Sequence, residues 1–375
     1  MYTGYKTHGK PVPLFSRPDW DGVVAGIEPV VHLITPAHTP DGASMVYSFT
    51  PPLALRLSAI AAFATLALTG CASSNAAETA PTTDTEVAAV TIDNCGTEVV
   101  IDSPPQRIVT VKSSTTELLL ALGAGDRIVG QAFPDGPIPE QWAPAADIPV
   151  LSDSAPAQEA VLELEPDLVF AGWESVFSAD SSGERDSYAA LGIDTYVAPS
   201  ACKDPVYQPD RMTVDELERQ ITELAEIIAV DPQPFLTEQR ATLDAITPDT
   251  RELRALWYSS GTDTPYVGAG IGNPQLILDL VGLENVAADV ADTWTSMSWE
   301  AIVDANPDVI VLVDATWNSA ADKIALLESN AATAELDAVQ NSRYLVIPFA
   351  STEAGARTAW AAADLAEQLA EMSMD

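Results

Sequence analysis

Glu159-Ala-Val-Leu-Glu-Leu-Glu-Pro-Asp-Leu-Val-Phe170 and Glu300-Ala-Ile-Val-Asp-Ala-Asn-Pro-Asp-Val-Ile-Val311 align without a gap. Each stretch reads as a short helix, a Pro-Asp turn and a buried strand. Proline cannot continue the helix, and it disfavours helical geometry in the residue before it. The apolar run that follows has the length and β-branched content of a strand covered on both faces. One such unit is an αβ step; two of them in one chain suggest an internal repeat.

Further matches fall in the same order on either side. Arg107-Ile-Val-Thr-Val-Lys-Ser-Ser114 is a strand ending in two serines, and Arg254-Ala-Leu-Trp-Tyr-Ser-Ser260 is its counterpart. Glu117-Leu-Leu-Leu-Ala-Leu-Gly123 is a helix stopped by glycine, as is Leu276-Ile-Leu-Asp-Leu-Val-Gly282. Tyr188-Ala-Ala-Leu-Gly-Ile-Asp-Thr-Tyr-Val-Ala-Pro199 ends the first series, and Arg343-Tyr-Leu-Val-Ile-Pro348 ends the second. The pattern predicts an α/β fold of two similar lobes, over residues 91–210 and 250–375.

Residues 211–249 read as the connection. Val214, Leu217, Ile221, Leu224, Ala225 and Ile228 follow a helical period, and Thr213 with Glu216 has the form of a capping box. A second helix is predicted from Pro234 to Ile246. A helical linker is stiff, so small lobe motions are expected rather than wide closure. Ligands of open α/β sheets sit beyond the C-terminal strand ends, which puts the site in a cleft between the lobes.

Charge and cysteine content narrow the chemistry. The 375 residues carry 17 Lys+Arg and 55 Asp+Glu, a formal net charge of −38, with three histidines and three cysteines. Lys6, Lys10, Arg17, Arg56, Asp19, Asp21, Glu28, Asp41 and all three histidines (His8, His32, His38) precede Cys71. The part from Cys71 onward therefore holds 13 basic residues, 51 acidic ones and no histidine. Such a body repels phosphate backbones, so no nucleic-acid partner is expected. It cannot build a His-based triad, a His-ligated metal site or a proximal-His haem. No cofactor or metal is expected, and no catalytic residue.

Arg56 is followed by the apolar run 57–70, of signal-peptide length, ending Leu68-Thr69-Gly70-Cys71. This looks like a bacterial lipoprotein signal, in which the cysteine is acylated and becomes the first mature residue. Residues 71–90, rich in Ala, Ser, Thr, Asp and Glu, read as a solvated tether. Met45 would give a signal of ordinary length, so residues 45–70 are expected to be the signal peptide and 1–44 a non-native extension. The expected location is the outer face of the cytoplasmic membrane, held by lipid on Cys71. In an oxidising compartment Cys95 and Cys202 are most simply a disulfide, the other reading being two separate thiols.

Arg107-Ile-Val-Thr, the Thr-Glu-Leu-Leu-Leu-Ala-Leu-Gly helix, Leu-Glu-Pro-Asp-Leu-Val and the lipobox together resemble the helical-backbone substrate-binding proteins of ABC importers. These are the ferric-siderophore and cobalamin class. The resemblance spans about residues 90–375. It implies ligand capture and delivery to a permease dimer with its ATPase, and it implies docking to permease arginines through Glu159 and Glu300. An acid in a helix's first turn is also favoured by the helix dipole alone. Gly172-Trp-Glu-Ser, Tyr196-Val-Ala-Pro-Ser-Ala-Cys-Lys, the stretch from Trp257 to Gly270 and Val313-Asp-Ala-Thr-Trp-Asn are similar to proteins assigned to import of a deazaflavin coenzyme precursor, F-420-0. Ferric siderophores and cobalamin are the alternative ligands.

Strand-end positions supply cleft candidates, Ser113, Ser114, Thr115, Trp173 and Glu174 from the first lobe and Tyr258, Ser259, Ser260, Trp317, Asn318 and Phe349 from the second; Tyr266 in a loop and Trp294 in the loop before the Glu300 helix join them. Loop aromatics suit a flat conjugated ligand; core or interface packing is the other reading of each tryptophan. Ser114 is equally placed to cap the Glu117 helix. Trp257 and Trp360 are expected in the core. The ligand is expected to be anionic and would draw on Arg185, Lys203 and Arg357, which fall near strand ends. Gly268-Ala-Gly-Ile-Gly272 lacks the Lys-Ser/Thr of a P-loop and is expected to let a loop approach the ligand closely. The rival class is an extracellular enzyme working through carboxylates alone.

Overall fold

The computed structural model describes residues 89–145 and 147–374. The expected extension 1–44, the expected signal peptide 45–70, Cys71 and the expected tether up to residue 88 lie outside the described residues. The described chain opens with a hairpin, β1 (Val90–Asn94) and β2 (Thr97–Ile101). Cys95 and Gly96 both have positive φ at its turn (53° and 81°), the conformation of a two-residue type I′ loop, and glycine adopts it without strain.

The first sheet follows. β3 (Ile108–Val111) leads into α1 (Ser113–Ala121), then come β4 (Ile128–Ala132), β5 (Val150–Ser152), α2 (Gln158–Leu162), β6 (Leu168–Ala171), α3 (Arg185–Ala189) and β7 (Asp194–Val197). All five strands are parallel, in the order β5-β4-β3-β6-β7. Strand β6 is buried at every position, as its continuous apolar run requires of a sheet covered on both faces.

Helices α4 (Val214–Ile227) and α5 (Gln233–Asp244) connect to the second sheet. Leu217, Ile221, Leu224 and Ala225 of α4 and Phe235 and Leu236 of α5 join the core on one face of the first sheet, beside Phe170 and Tyr196. The capping box at Thr213 is half formed. Thr213 Oγ1 accepts from Glu216 N, but the Glu216 carboxylate accepts from Arg219 and Gln220 instead.

The second sheet contains β8 (Arg254–Ser260), β9 (Tyr266–Gly268), β10 (Glu284–Asn285), β11 (Trp294–Ser296), β12 (Val309–Asp314) and β13 (Tyr344–Pro348). Between them lie α6 (Asn273–Val281), α7 (Trp299–Ala305), α8 (Ala320–Ser329) and α9 (Asp337–Gln340), and α10 (Thr358–Glu371) closes the fold. The order is β11-β9-β8-β12-β13, with β10 beside β8. β8, β12 and β13 run parallel, while β9 pairs antiparallel with both β8 and β11. Alternation along β8 sends Ala255 and Trp257 into the core with α6 and α10, and Leu256 and Tyr258 into the opposite one with Ile302 and Leu327. The two lobes are α/β as expected, but the second carries an antiparallel edge that the first lacks.

The repeat has a local physical cause. In the first lobe the Asp167 carboxylate accepts from Arg107 N at 2.9 Å, and Arg107 Nε donates to Glu165 O at 2.8 Å. In the second, Asp308 accepts from Arg254 N at 2.8 Å, and the Arg254 guanidinium donates to Ala305 O. The Pro-Asp aspartate thus fixes the start of the neighbouring strand, and that strand's first arginine closes the free carbonyls at the end of the short helix.

No helix among the described residues is long and apolar enough to cross a membrane.

Candidate cleft between the two sheets

A cavity of 660 Å³ lies beyond the C-terminal ends of β6, β7, β8, β12 and β13. That volume suits a mid-sized organic ligand. Its first-lobe wall is made by Trp173 and Glu174 after β6 and by the 200–208 loop after β7. Its second-lobe wall is made by Ser259 and Ser260 at the end of β8, Tyr266, Asn273 and Pro274 at the start of α6, the loop leading to Trp294, Trp317 after β12, and Phe349 to Ala354 after β13.

Aromatic rings dominate the lining. Tyr266 and Trp294 stack with centroids 5.9 Å apart and planes 16° from parallel. Trp317 and Phe349 meet edge to face at 5.5 Å. Trp317 is 60% exposed and Tyr266 41%, so both rings offer apolar surface to a ligand in the cavity. Trp317 sits in a tight turn that Asn318 closes, its backbone N donating to Ala315 O. Buried Lys323 fastens the same turn, with Nζ donating to Val313 O and Asn318 O.

Beneath Trp173 lies a charged group that the sequence reading passed over. Lys112 is wholly buried and has φ 91°. Its ammonium pairs with Asp135 and lies 3.7 Å from the Trp173 ring centroid, 4.3 Å from that of Phe133 and 4.8 Å from that of Phe349. A cation so enclosed gains from the ring quadrupoles. Burial lowers the Lys112 pKa and raises that of Asp135, and their mutual attraction opposes both shifts. Gly172 is required beside it, because a Cβ there would stand 2.9 Å from Lys112 Cβ and 2.9 Å from Ser114 Oγ. Glu353, on the second-lobe side of the cavity, accepts from Trp173 Nε1 at 3.1 Å. Burial raises the Glu353 carboxyl's pKa, with nearby Lys112 opposing.

Of the sequence candidates, Trp173, Glu174, Lys203, Ser259, Ser260, Tyr266, Trp294, Trp317 and Phe349 line the cavity. The others do not. Ser113, Ser114 and Thr115 form the buried first turn of α1, where Ser113 Oγ accepts from Asp135 N and Thr115 Oγ1 donates to Lys112 O. Ser114 makes no cap with Glu117, since α1 begins one residue earlier. Tyr258 is buried under the sheet and its hydroxyl donates to Gly261 O. Asn318 shapes the Trp317 turn instead of facing the cavity.

Two of the three expected anion partners are committed elsewhere. Arg185 donates to Asn94 O, Asn94 Oδ1, Thr195 Oγ1 and Thr195 O, tying the hairpin to β7. Arg357 donates to the Glu117 carboxylate and to Pro137 O. Neither lines the cavity. The glycine run 268–272 also serves packing: a Cβ on Gly270 would stand 2.0 Å from Ala288 O. Trp257 is core, whereas Trp360 is half-buried against Trp142, 5.2 Å away. Glu353, Asp292, Thr293 and Asn273 are lining residues that strand-end logic missed.

Cys95 and Cys202 form a disulfide with Cα atoms 5.2 Å apart. It joins the hairpin turn to the cavity loop that carries Lys203. Among the described residues, no cluster of acidic residues, histidines and cysteines is arranged to hold a metal ion.

Comparison with known proteins agrees with this architecture. The chain is 28% identical over 303 residues to the uncharacterized ABC transporter substrate-binding lipoprotein YvrC of Bacillus subtilis, covering 76% of this chain and 87% of that protein. It is 27% identical over 217 residues to the vitamin B12-binding protein of Yersinia pestis, covering 55% and 69%. A periplasmic binding protein of solved structure from Veillonella parvula superposes with a TM-score of 0.67 at 25% identity, over 76% of this chain and 98% of that one. The sequence family described as periplasmic binding protein matches residues 108–350, and the chain belongs to that family.

Proposed function

We propose that this protein is the extracytoplasmic substrate-binding component of an ABC importer, holding a flat conjugated small molecule in the cleft and passing it to the permease. The observation that carries the reading is the aromatic lining: Trp173, Tyr266, Trp294, Trp317 and Phe349 converge on one 660 Å³ cavity from both lobes. Rings in that arrangement bind by stacking and leave polar handles for orientation. The B. subtilis relative is named as a substrate-binding lipoprotein and the Yersinia relative as a vitamin B12-binding protein. Both names fit capture without turnover.

Glu159 and Glu300 are the proposed permease contacts. Each is exposed in the first turn of the helix preceding a Pro-Asp turn, α2 in one lobe and α7 in the other. Lipid on Cys71 is the proposed membrane anchor. For the ligand, deazaflavin, siderophore-type and cobalamin-type molecules share the conjugated surface that the cleft suits. The finer deazaflavin reading rests on the sequence likeness of the Trp173, Trp257 and Trp317 segments.

The test is native mass spectrometry with visible absorbance on protein purified from its own host. A conjugated molecule bound one to one and released unchanged supports the reading. Chemical conversion of the bound molecule would replace it with the carboxylate-enzyme alternative.

A further inference from the structure

The charges around the cleft discriminate among conjugated ligands. Three carboxylates line the cavity, Glu174, Asp292 and Glu353, against one ammonium, Lys203. The wider supply of cations is already spent. Lys112 is paired with Asp135 under the rings; Arg185 and Arg357 are held by Asn94 and Glu117. Among the described residues, every lysine and arginine except Lys203 makes a side-chain hydrogen bond or ion pair within the protein. An anionic ligand would therefore meet a single exposed lysine and three acids.

A cation meets the opposite surroundings. Trp317 and Tyr266 are exposed in the cavity lining, and a cation placed over the face of such a ring is attracted by its quadrupole. Asp292, exposed, and Glu353, half-buried, both stand near Tyr266 on the second-lobe wall, and Glu174 stands on the first-lobe wall. The −38 net charge of the chain raises the local concentration of cations and lowers that of anions.

We infer that the cleft selects a flat conjugated ligand bearing positive charge, such as a ring-nitrogen organic cation. The inference rests on the ligand-capture reading above and adds the sign of the charge. It reverses the anionic ligand expected from the sequence.

Two probes share a three-ring aromatic frame and differ in sign, 10-methylacridinium and anthracene-9-carboxylate. Calorimetric titration of the purified protein with each is the test. The cation is expected to bind about tenfold or more tightly than the anion at low salt, with the gap narrowing as salt screens it. Asp292→Asn, at an exposed site, and Glu353→Gln should each shrink the gap; Lys203→Met should widen it. Equal or tighter binding of the anion overturns the charge assignment, and if Trp317→Ala weakens that binding the stacking reading survives. Failure of both probes to bind sinks the stacking reading together with this one.

Discussion

Arg357 Nε donates to a Glu117 carboxylate oxygen at 2.6 Å, joining the start of α10 in the second lobe to α1 in the first. The side chains are 14% and 1% exposed. Glu117 is thus a buried acid whose charge is balanced from the other lobe. Burial raises its pKa and Arg357 opposes the rise. The contact fixes how the two lobes stand across the cleft. Arg357→Met should destabilise the protein by about 3–5 kcal/mol, the usual result of leaving one partner of a buried pair unbalanced. The double variant with Glu117→Gln should recover part of that loss. Chemical unfolding of the wild type and the variants measures both effects.

Asp194, at the start of β7, has its pKa raised to about 6 by burial and by Asp102 and Asp167. In the unfolded chain an aspartate titrates near pH 4. Its contribution to stability is therefore fully present below about pH 4 and is lost as pH rises through about 6, where the folded state must hold the anion. At pH 7.5 Asp194→Asn should be more stable than wild type by about 1 kcal/mol, allowing for solvent screening. The advantage should vanish below about pH 4. Guanidinium unfolding at the two pH values checks the sign.

The Cys95–Cys202 bridge spans 107 residues and holds the loop bearing Lys203 against the hairpin. Replacing both cysteines by serine should cost about 2–5 kcal/mol. The same variant should speed proteolysis within residues 203–208 more than elsewhere, because the far end of the loop stays tied to the body by Arg211 to Asp279 and by Met212 N to Ile271 O. Lys203 N to Glu174 and Tyr207 Oη to Asp93 tie residues 203–208 to the body.

Trp317 separates binding from stability. Its side chain is mostly exposed, so Trp317→Ala should change the unfolding free energy by less than about 0.5 kcal/mol. Affinity for a conjugated ligand should fall about tenfold or more. Lys323→Met should weaken the same affinity more mildly, because it loosens the turn that carries the ring without touching the cavity.

Much of the fold was legible because a single arrangement is used twice. The Pro-Asp turns, the arginine before each first strand and the glycine helix stops are local features, and the hydrogen bonds of Asp167 and Asp308 show what they do. The hairpin was missed although Val90 to Ile101 alternates and Asn94-Cys95-Gly96 is a turn signal; the tether composition just before it hid the boundary. Cleft aromatics were readable from strand-end positions, since Trp173, Trp317 and Phe349 fall within three residues of the ends of β6, β12 and β13. Side-chain partners were not. Arg185 and Arg357 look alike in sequence to ligand-binding arginines, and only long-range contacts with Asn94 and Glu117 show them occupied. Lys112 was invisible as a site residue for the same reason: its cage draws Phe133, Trp173 and Phe349 from distant segments.

The most direct test of the central claim is a titration of cleft-tryptophan fluorescence with the conjugated molecule recovered from the native host, on wild type and on a Trp173→Ala/Trp317→Ala variant. The expected result is saturable one-to-one quenching in the wild type, no chemical change in the ligand, and at least about tenfold weaker binding in a variant that still folds. Equal affinity in wild type and variant, or conversion of the ligand during the titration, would contradict ligand capture by the aromatic cleft.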